Sequence, residues 1–171
     1  NLDLLPSDFT YRNMDIFLEG EKDPDKRFRN LLEPFAEEYD YIFLDCPPSI
    51  SALSESVFSV ADMLLVPTIP TTLSLRTYQQ IVKFFESNEI DTTKLQPYFS
   101  MVDMRRKMHR LIVQRPPTFM QSVLDSYIPY ASEVERMGVN RAPVGDFAAH
   151  SRAAICYKSM WEEIKAHIYT S

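Results

Sequence analysis

Four short stretches of the chain are rich in apolar and β-forming residues and close on a turn residue. They are Tyr41 to Leu44 before Asp45, Met63 to Val66 before Pro67, Leu95 to Val102 before Asp103, and Ser126 to Ile128 before Pro129. Runs of this kind read as strands, and the first two, apolar on both faces, suit the interior of a parallel sheet covered by helices. Between them the apolar residues change to helical spacing. Phe28, Leu31, Leu32 and Phe35 follow Pro24-Asp25 at i, i+3, i+4, i+7. Leu53, Val57 and Val60 follow a cap at Ser49 or Ser51, and Leu75, Tyr78, Ile81, Val82 and Phe85 follow a cap at Thr71 or Thr72. Phe119, Met120, Val123 and Leu124 predict a further helix, and Tyr157, Trp161, Ile164 and Ile168 the last one. Asn1 to Leu5 reads as a short strand before Pro6, Ser132 to Met137 as a short helix or turn ended by Gly138, and Asn140 to Phe147 as a loop. Strand and helix in alternation with short links predict one α/β domain over residues 1–171. Its fold would be a doubly wound, mostly parallel sheet with right-handed crossovers and helices on both faces.

Composition adds limits. The 171 residues suffice for a sizeable core, and 45% hydrophobic with 25% charged residues is ordinary for a globular chain. A net charge of -6 argues against nucleic-acid binding over the whole surface and leaves room for a local basic patch. No apolar run is long enough to span a bilayer, and the N-terminal residues do not read as a signal peptide. Cys46 and Cys156 have neither metal nor disulfide spacing, so a reducing cytoplasm is expected, with Cys46 a small buried residue rather than a nucleophile. His109, His150 and His167 are scattered and receive no role. The three glycines, Gly20, Gly138 and Gly145, lie too far apart to form a phosphate-cradling loop.

The chemistry gathers where the strands end. Open α/β sheets bind ligands outside the carboxyl ends of their strands. Asp45 is therefore either a cap of the following turn or helix, or a carboxylate serving a Mg²⁺ or phosphate site. Asp45-Cys46-Pro47-Pro48, Pro67-Thr68-Ile69-Pro70 and Asp103-Met104-Arg105 should share one rim, stiffened by prolines, which suits a Mg-nucleotide. Arg105, Arg106, Lys107 and Arg110 make the most basic run of the chain. Such a run is either a solvated helix face or an electrostatic footprint for phosphates.

The run Tyr39 to Ser49, followed by Ala61-Asp62-Met63-Leu64-Leu65-Val66-Pro67, resembles the Walker B and switch II region of the ParA/MinD group of ATPases. Met101-Val102-Asp103 with Arg105-Arg106-Lys107, Ile128-Pro129-Tyr130 and Glu133 to Val144 resemble the later part of ParA-type partition proteins. The resemblance implies a P-loop NTPase-like fold in which Asp45 holds Mg²⁺ through water and Pro47 and Pro48 shape the switch that senses the γ-phosphate. It implies that Ser100, Met101 and Pro129 flank the adenine of ATP, although the family often has Asn where Ser100 stands. It further implies a homodimer formed on ATP, non-specific DNA binding through Arg105, Arg106, Lys107 and Arg110, and hydrolysis stimulated by a ParB-like partner. Arg141 and Arg152 are weaker candidates for DNA. The setting would be the prokaryotic cytoplasm, on the nucleoid, in plasmid or chromosome partitioning, with no membrane involved.

The family's glycine-rich P-loop with its lysines has no counterpart in these 171 residues, which read as the C-terminal part of such an ATPase. On that reading the 171 residues alone neither bind nor hydrolyse ATP. They are stable only if the gap between the strands at Tyr41–Asp45 and Met63–Val66 is filled, the place where the P-loop strand would lie. Two other readings stand beside this one: a cobyrinic-acid-synthase-type amidotransferase of the same superfamily, and a binding or dimerisation module without catalysis.

Overall fold

The computed structural model describes residues 2–6, 23–46 and 51–170, in two compact units that divide after Asp62. In the first unit, α1 spans Pro24–Ala36. Asp23 caps it, its carboxylate accepting from Lys26 N at 3.0 Å, and Pro24 enters at a first-turn position where no N–H is needed. Phe28 is the buried residue of this helix, and α1 packs on α2, Ala52–Val60. Leu31, placed by spacing on the same face as Phe28, is instead 54% exposed. Ser51 N donates to Ser54 Oγ at 2.6 Å at the start of α2, and Ser54, Ser56 and Val57 are buried.

Two predicted strands of this unit do not form. Residues 2–6 and 41–46 have no regular secondary structure and make no ladder among the described residues. Ile42 and Phe43 are 40% and 66% exposed, and Leu2, Leu4 and Leu5 lie open. An apolar run becomes a buried strand only when neighbours on both sides take its N–H and C=O groups, and no described strand does so here. The Tyr39 hydroxyl donates to Asp3 Oδ2 at 2.8 Å.

The second unit carries a parallel sheet in the order β1-β2-β3: Leu64–Thr68, Leu95–Val102 and Tyr127–Pro129. The strand of Met63 to Val66 thus begins one residue later and runs on to Thr68, β2 matches its predicted range, and β3 is shifted by one residue. Helix α3, Thr72–Ser87, makes the first crossover. Thr71 caps it, Oγ1 accepting from Ser74 N at 3.4 Å, and Tyr78 and Phe85 are its buried residues. Helix α4, Lys107–Gln114, lies between β2 and β3. Pro116 and Pro117 follow its end, as ring and missing N–H require. The predicted helix around Phe119 to Leu124 is a set of turns in which Met120 and Leu124 are buried, so its apolar spacing marks core contacts rather than a helix.

Helix α5, Ser132–Asn140, passes through Gly138 and stops at Arg141, which takes the left-handed conformation with φ 48°. Gly138 therefore does not end the helix. Helices α6, Val144–Phe147, and α7, Arg152–Thr170, complete the chain. One core cluster joins Tyr78, Phe99, Val102 and Met120; another joins Val144, Ala153 and Ala154 to Val134, Met137 and Phe147. Ile164 is buried on the predicted face of α7, whereas Ile168 is 39% exposed.

Candidate functional site

The carboxyl ends of β2 and β3 bring five of the candidate residues into one region of the second unit: Ser100, Met101, Arg105, Arg106 and Pro129. Phe99 pairs with Tyr127 and Val102 with Pro129, so three steps along β2 match two along β3. The extra residue is a β-bulge at Ser100–Met101, a device that re-aims side chains at sheet rims. Met101 sits in it at φ 53°, a left-handed conformation strained for a side-chain-bearing residue, and is 48% exposed. Ser100 is half-buried and Pro129 is buried beside Tyr130, whose N–H donates to Val102 O at 3.0 Å.

Beyond the bulge the chain folds back on Asp103. Its carboxylate accepts from Arg105 N at 3.0 Å, Arg105 Nε at 2.9 Å and Arg105 Nη2 at 2.9 Å. Arg106 Nε stands 3.8 Å from the same group. The Arg105 side-chain and backbone donors hold the Asp103 carboxyl at about 2, well below the usual carboxylate range. Arg105 is raised by the same partner. Asp103 N donates to Nδ1 of His109, which is buried on the inner side of α4. That nitrogen is therefore an acceptor here. Arg110 Nη1 donates to the carbonyls of Met104 at 2.9 Å and Arg105 at 3.3 Å. Lys107 is exposed in the first turn of α4.

Sequence reasoning gave His109 no role, yet it ties the turn to the sheet. Its inward position was legible in the spacing His109, Ile112, Val113, since the latter two pack on the core. Glu163 was also missed. From α7 its two oxygens accept from Asp125 N at 2.6 Å and Ser126 N at 2.9 Å, gripping the backbone that leads into β3. Nothing in the sequence marks a pairing across that separation. Arg152, a weaker DNA candidate, donates to the hydroxyl of Tyr127 and lies 5.8 Å from its ring centre.

In the first unit Asp45 is exposed at the end of the irregular stretch, and Pro47 and Pro48 lie outside the described residues. Cys46, expected to be buried, is exposed because its segment joins no sheet; its Sγ lies 3.6 Å from Leu44 O. Desolvation, and after it the Asp45 charge, raise the thiol above its usual value, which disfavours the thiolate. No group of three or more His, Cys, Asp or Glu side chains that could cage a metal occurs among the described residues. A hollow of about 130 Å³ at the end of β1, lined by Thr68, Ser74 and Tyr78 among others, is too small to enclose a nucleotide. No helix of the described residues is long and apolar enough to cross a membrane.

A parallel sheet with helical crossovers and chemistry at its carboxyl rim defines an α/β fold of the P-loop NTPase type. The crystal structure of a ParA family ATPase from Chlorobium tepidum TLS matches it with a TM-score of 0.65 at 23% identity, over 90% of this chain and 60% of that one. The family model described as AAA domain matches residues 1–96, more than half of the chain. The chain belongs to that family, within the ParA/MinD-type P-loop ATPases. The chromosome-partitioning ATPase Soj of Treponema pallidum is 23% identical over 171 residues, covering 97% of this chain and 68% of its own. A ParA family protein of Mycoplasma pneumoniae is 27% identical over 117 residues, 66% of this chain and 43% of its own. The chain thus spans less than half of the Mycoplasma relative and about two thirds of the Treponema one.

Proposed function

We propose that the full-length protein carrying this chain is a ParA-like partitioning ATPase. It dimerises on ATP, binds DNA without sequence preference through the rim after β2, and releases it when a ParB-like partner stimulates hydrolysis. The observation that carries the reading is the cationic turn after β2, set at the carboxyl rim of a parallel sheet in a chain of this family. The nucleoid and the cytoplasm would be the place of action.

Mg²⁺ in nucleotide sites keeps several waters and takes one or two carboxylates plus substrate phosphates, so a single exposed carboxylate such as Asp45 fits it better than a protein cage would. Asp45 would hold the ion through water, and the ion would neutralise charge on the phosphates of ATP. Ser100, Met101 and Pro129 would border the base, with the bulge setting where Met101 points. Pro47 and Pro48 would shape the γ-phosphate switch. Arg105, Arg106, Lys107 and Arg110 would supply the positive potential met by DNA phosphates. The phosphate cradle itself is not among these 171 residues, so binding and turnover are proposed for the longer protein.

The test is Asp45→Ala in the full-length protein. ATP turnover should fall to background while the thermal unfolding temperature stays near that of the wild type, because the carboxylate removed is exposed. Turnover at the wild-type rate sinks the assignment.

A further inference from the structure

The ion pair that closes the turn after β2 is made edge to edge. A guanidinium offers an oxyanion two edges, the side-on pair Nε and Nη2 and the end-on pair Nη1 and Nη2. In Arg105 the side-on edge is taken: Nε donates to Asp103 Oδ1 and Nη2 to Oδ2, each at 2.9 Å. The pair is a surface feature, with the Arg105 side chain 85% exposed and that of Asp103 15% exposed. Arg106 Nε, 3.8 Å away, faces the same carboxylate. One aspartate therefore stands against two of the four cations of the run.

We infer that Asp103 is a built-in competitor of phosphate: its carboxylate occupies the Arg105 edge that a DNA phosphate would take bidentately. DNA gains Arg105 only end-on, or by displacing Asp103. The inference rests on the proposed DNA reading and gives it a direction. A cation already paired with a carboxylate neutralises less than a full phosphate charge, so it displaces fewer of the counterions condensed on the DNA and adds less than a full contact to the salt dependence of binding. Were Asp103 instead a buttress that aims Arg105 at DNA, its removal would weaken binding. The two ideas differ in sign.

Asp103→Asn separates them. The amide keeps an oxygen for the Arg105 N–H and loses the charge and the second acceptor. Affinity for a labelled random-sequence duplex is measured by fluorescence anisotropy across a salt series, with the full-length protein and ATP. The series includes wild type, D103N, R105A and the double variant, with Asp103→Ser as a second way to remove the charge should the amide disturb folding. Freeing one cation should steepen the slope of log K against log salt by about 0.9, which is about eightfold tighter binding at ~0.1 M relative to a ~1 M reference. Most of the gain should be lost in D103N/R105A, where only the longer Arg106 contact with that carboxylate is left to be freed. If R105A weakens binding while D103N and D103S leave the slope unchanged or shallower, the competitor idea is overturned and the DNA reading stands. If R105A itself changes nothing, the DNA reading of Arg105 fails, and this inference with it.

Discussion

Glu163 is the residue whose loss should say most about how the rim is held. It reaches from α7 to two successive backbone N–H groups, at 2.6 Å on Asp125 and 2.9 Å on Ser126, immediately before β3. Glu163→Ala removes both. A hydrogen bond to a charged group contributes about 1.5–3 kcal/mol where it is shielded, and less where water can replace it. The Ser126 bond is partly buried and the Asp125 bond is exposed, so the sum should be about 2 kcal/mol. For a chain of this size that lowers the melting temperature by roughly 4–8 °C. Glu163→Gln should lose about half as much, because one amide oxygen still accepts and the NH₂ faces the other N–H. Hydrogen exchange gives the local readout. The amides of Asp125 and Ser126 should lose protection first, ahead of those of Phe99 and Val102 inside β2. A loss below ~0.5 kcal/mol together with unchanged exchange at 125 and 126 would refute the clamp. The functional consequence is testable in the same variant, since β3 carries Pro129 to the rim.

Two further outcomes follow from named hydrogen bonds. Thr71→Ala removes the acceptor for Ser74 N at the start of α3; the bond is long, 3.4 Å, so the cost should sit at the low end for N-caps, about 0.5–1 kcal/mol in urea unfolding. Asp103 should titrate at about 2, because its Arg105 donors favour the charged form. Its folded value lies below the unfolded one, so the stability it contributes is complete above the ordinary carboxylate range and is lost as pH falls through about 2. No change between neutral and mildly acidic pH should come from this group. Carboxyl carbon shifts in an NMR titration check the midpoint, which should rise in Arg105→Ala; an unmoved midpoint would remove Arg105 as the cause.

What was legible in the sequence divides by the range of the interaction involved. Thr71 and the spacing of Tyr78 and Phe85 locate α3 because caps and helical faces are local. Strand β2 is legible for the same reason, as a β-rich run closed by Asp103. Tyr41 to Leu44 carries the same local signal, yet it is open and irregular. Period and composition state that a segment can be a strand; the ladder partner decides whether it is one. Residues 119–124 make the complementary point, since apolar positions at helical spacing can fill a core from successive turns. Arg141 shows a helix stopping on a left-handed residue that is not glycine, three positions past the expected stop. Of the candidate site, the gathering at the ends of β2 and β3 follows from topology, whereas the bulge at Met101 comes from a register that no sequence pattern encodes.

The basic run shows how far a charge count misstates a surface. Read as four solvated cations, Arg105, Arg106, Lys107 and Arg110 would each neutralise a phosphate, for a salt slope of about −3.6 per chain on duplex DNA. The hydrogen bonds sort them. Arg105 is committed edge-on to Asp103, Arg110 is anchored through Nη1 to two carbonyls of its own turn, and Arg106 lies near the same Asp103 carboxylate while still 69% exposed. Two of the four therefore do folding work: they satisfy backbone and carboxylate acceptors that would otherwise face water in an unclosed turn. Arg106 and Lys107 have the greater freedom to meet phosphate, which brings the same arithmetic nearer to −1.8. On the proposed DNA reading, two available cations in place of four would give a weaker and more readily reversed contact.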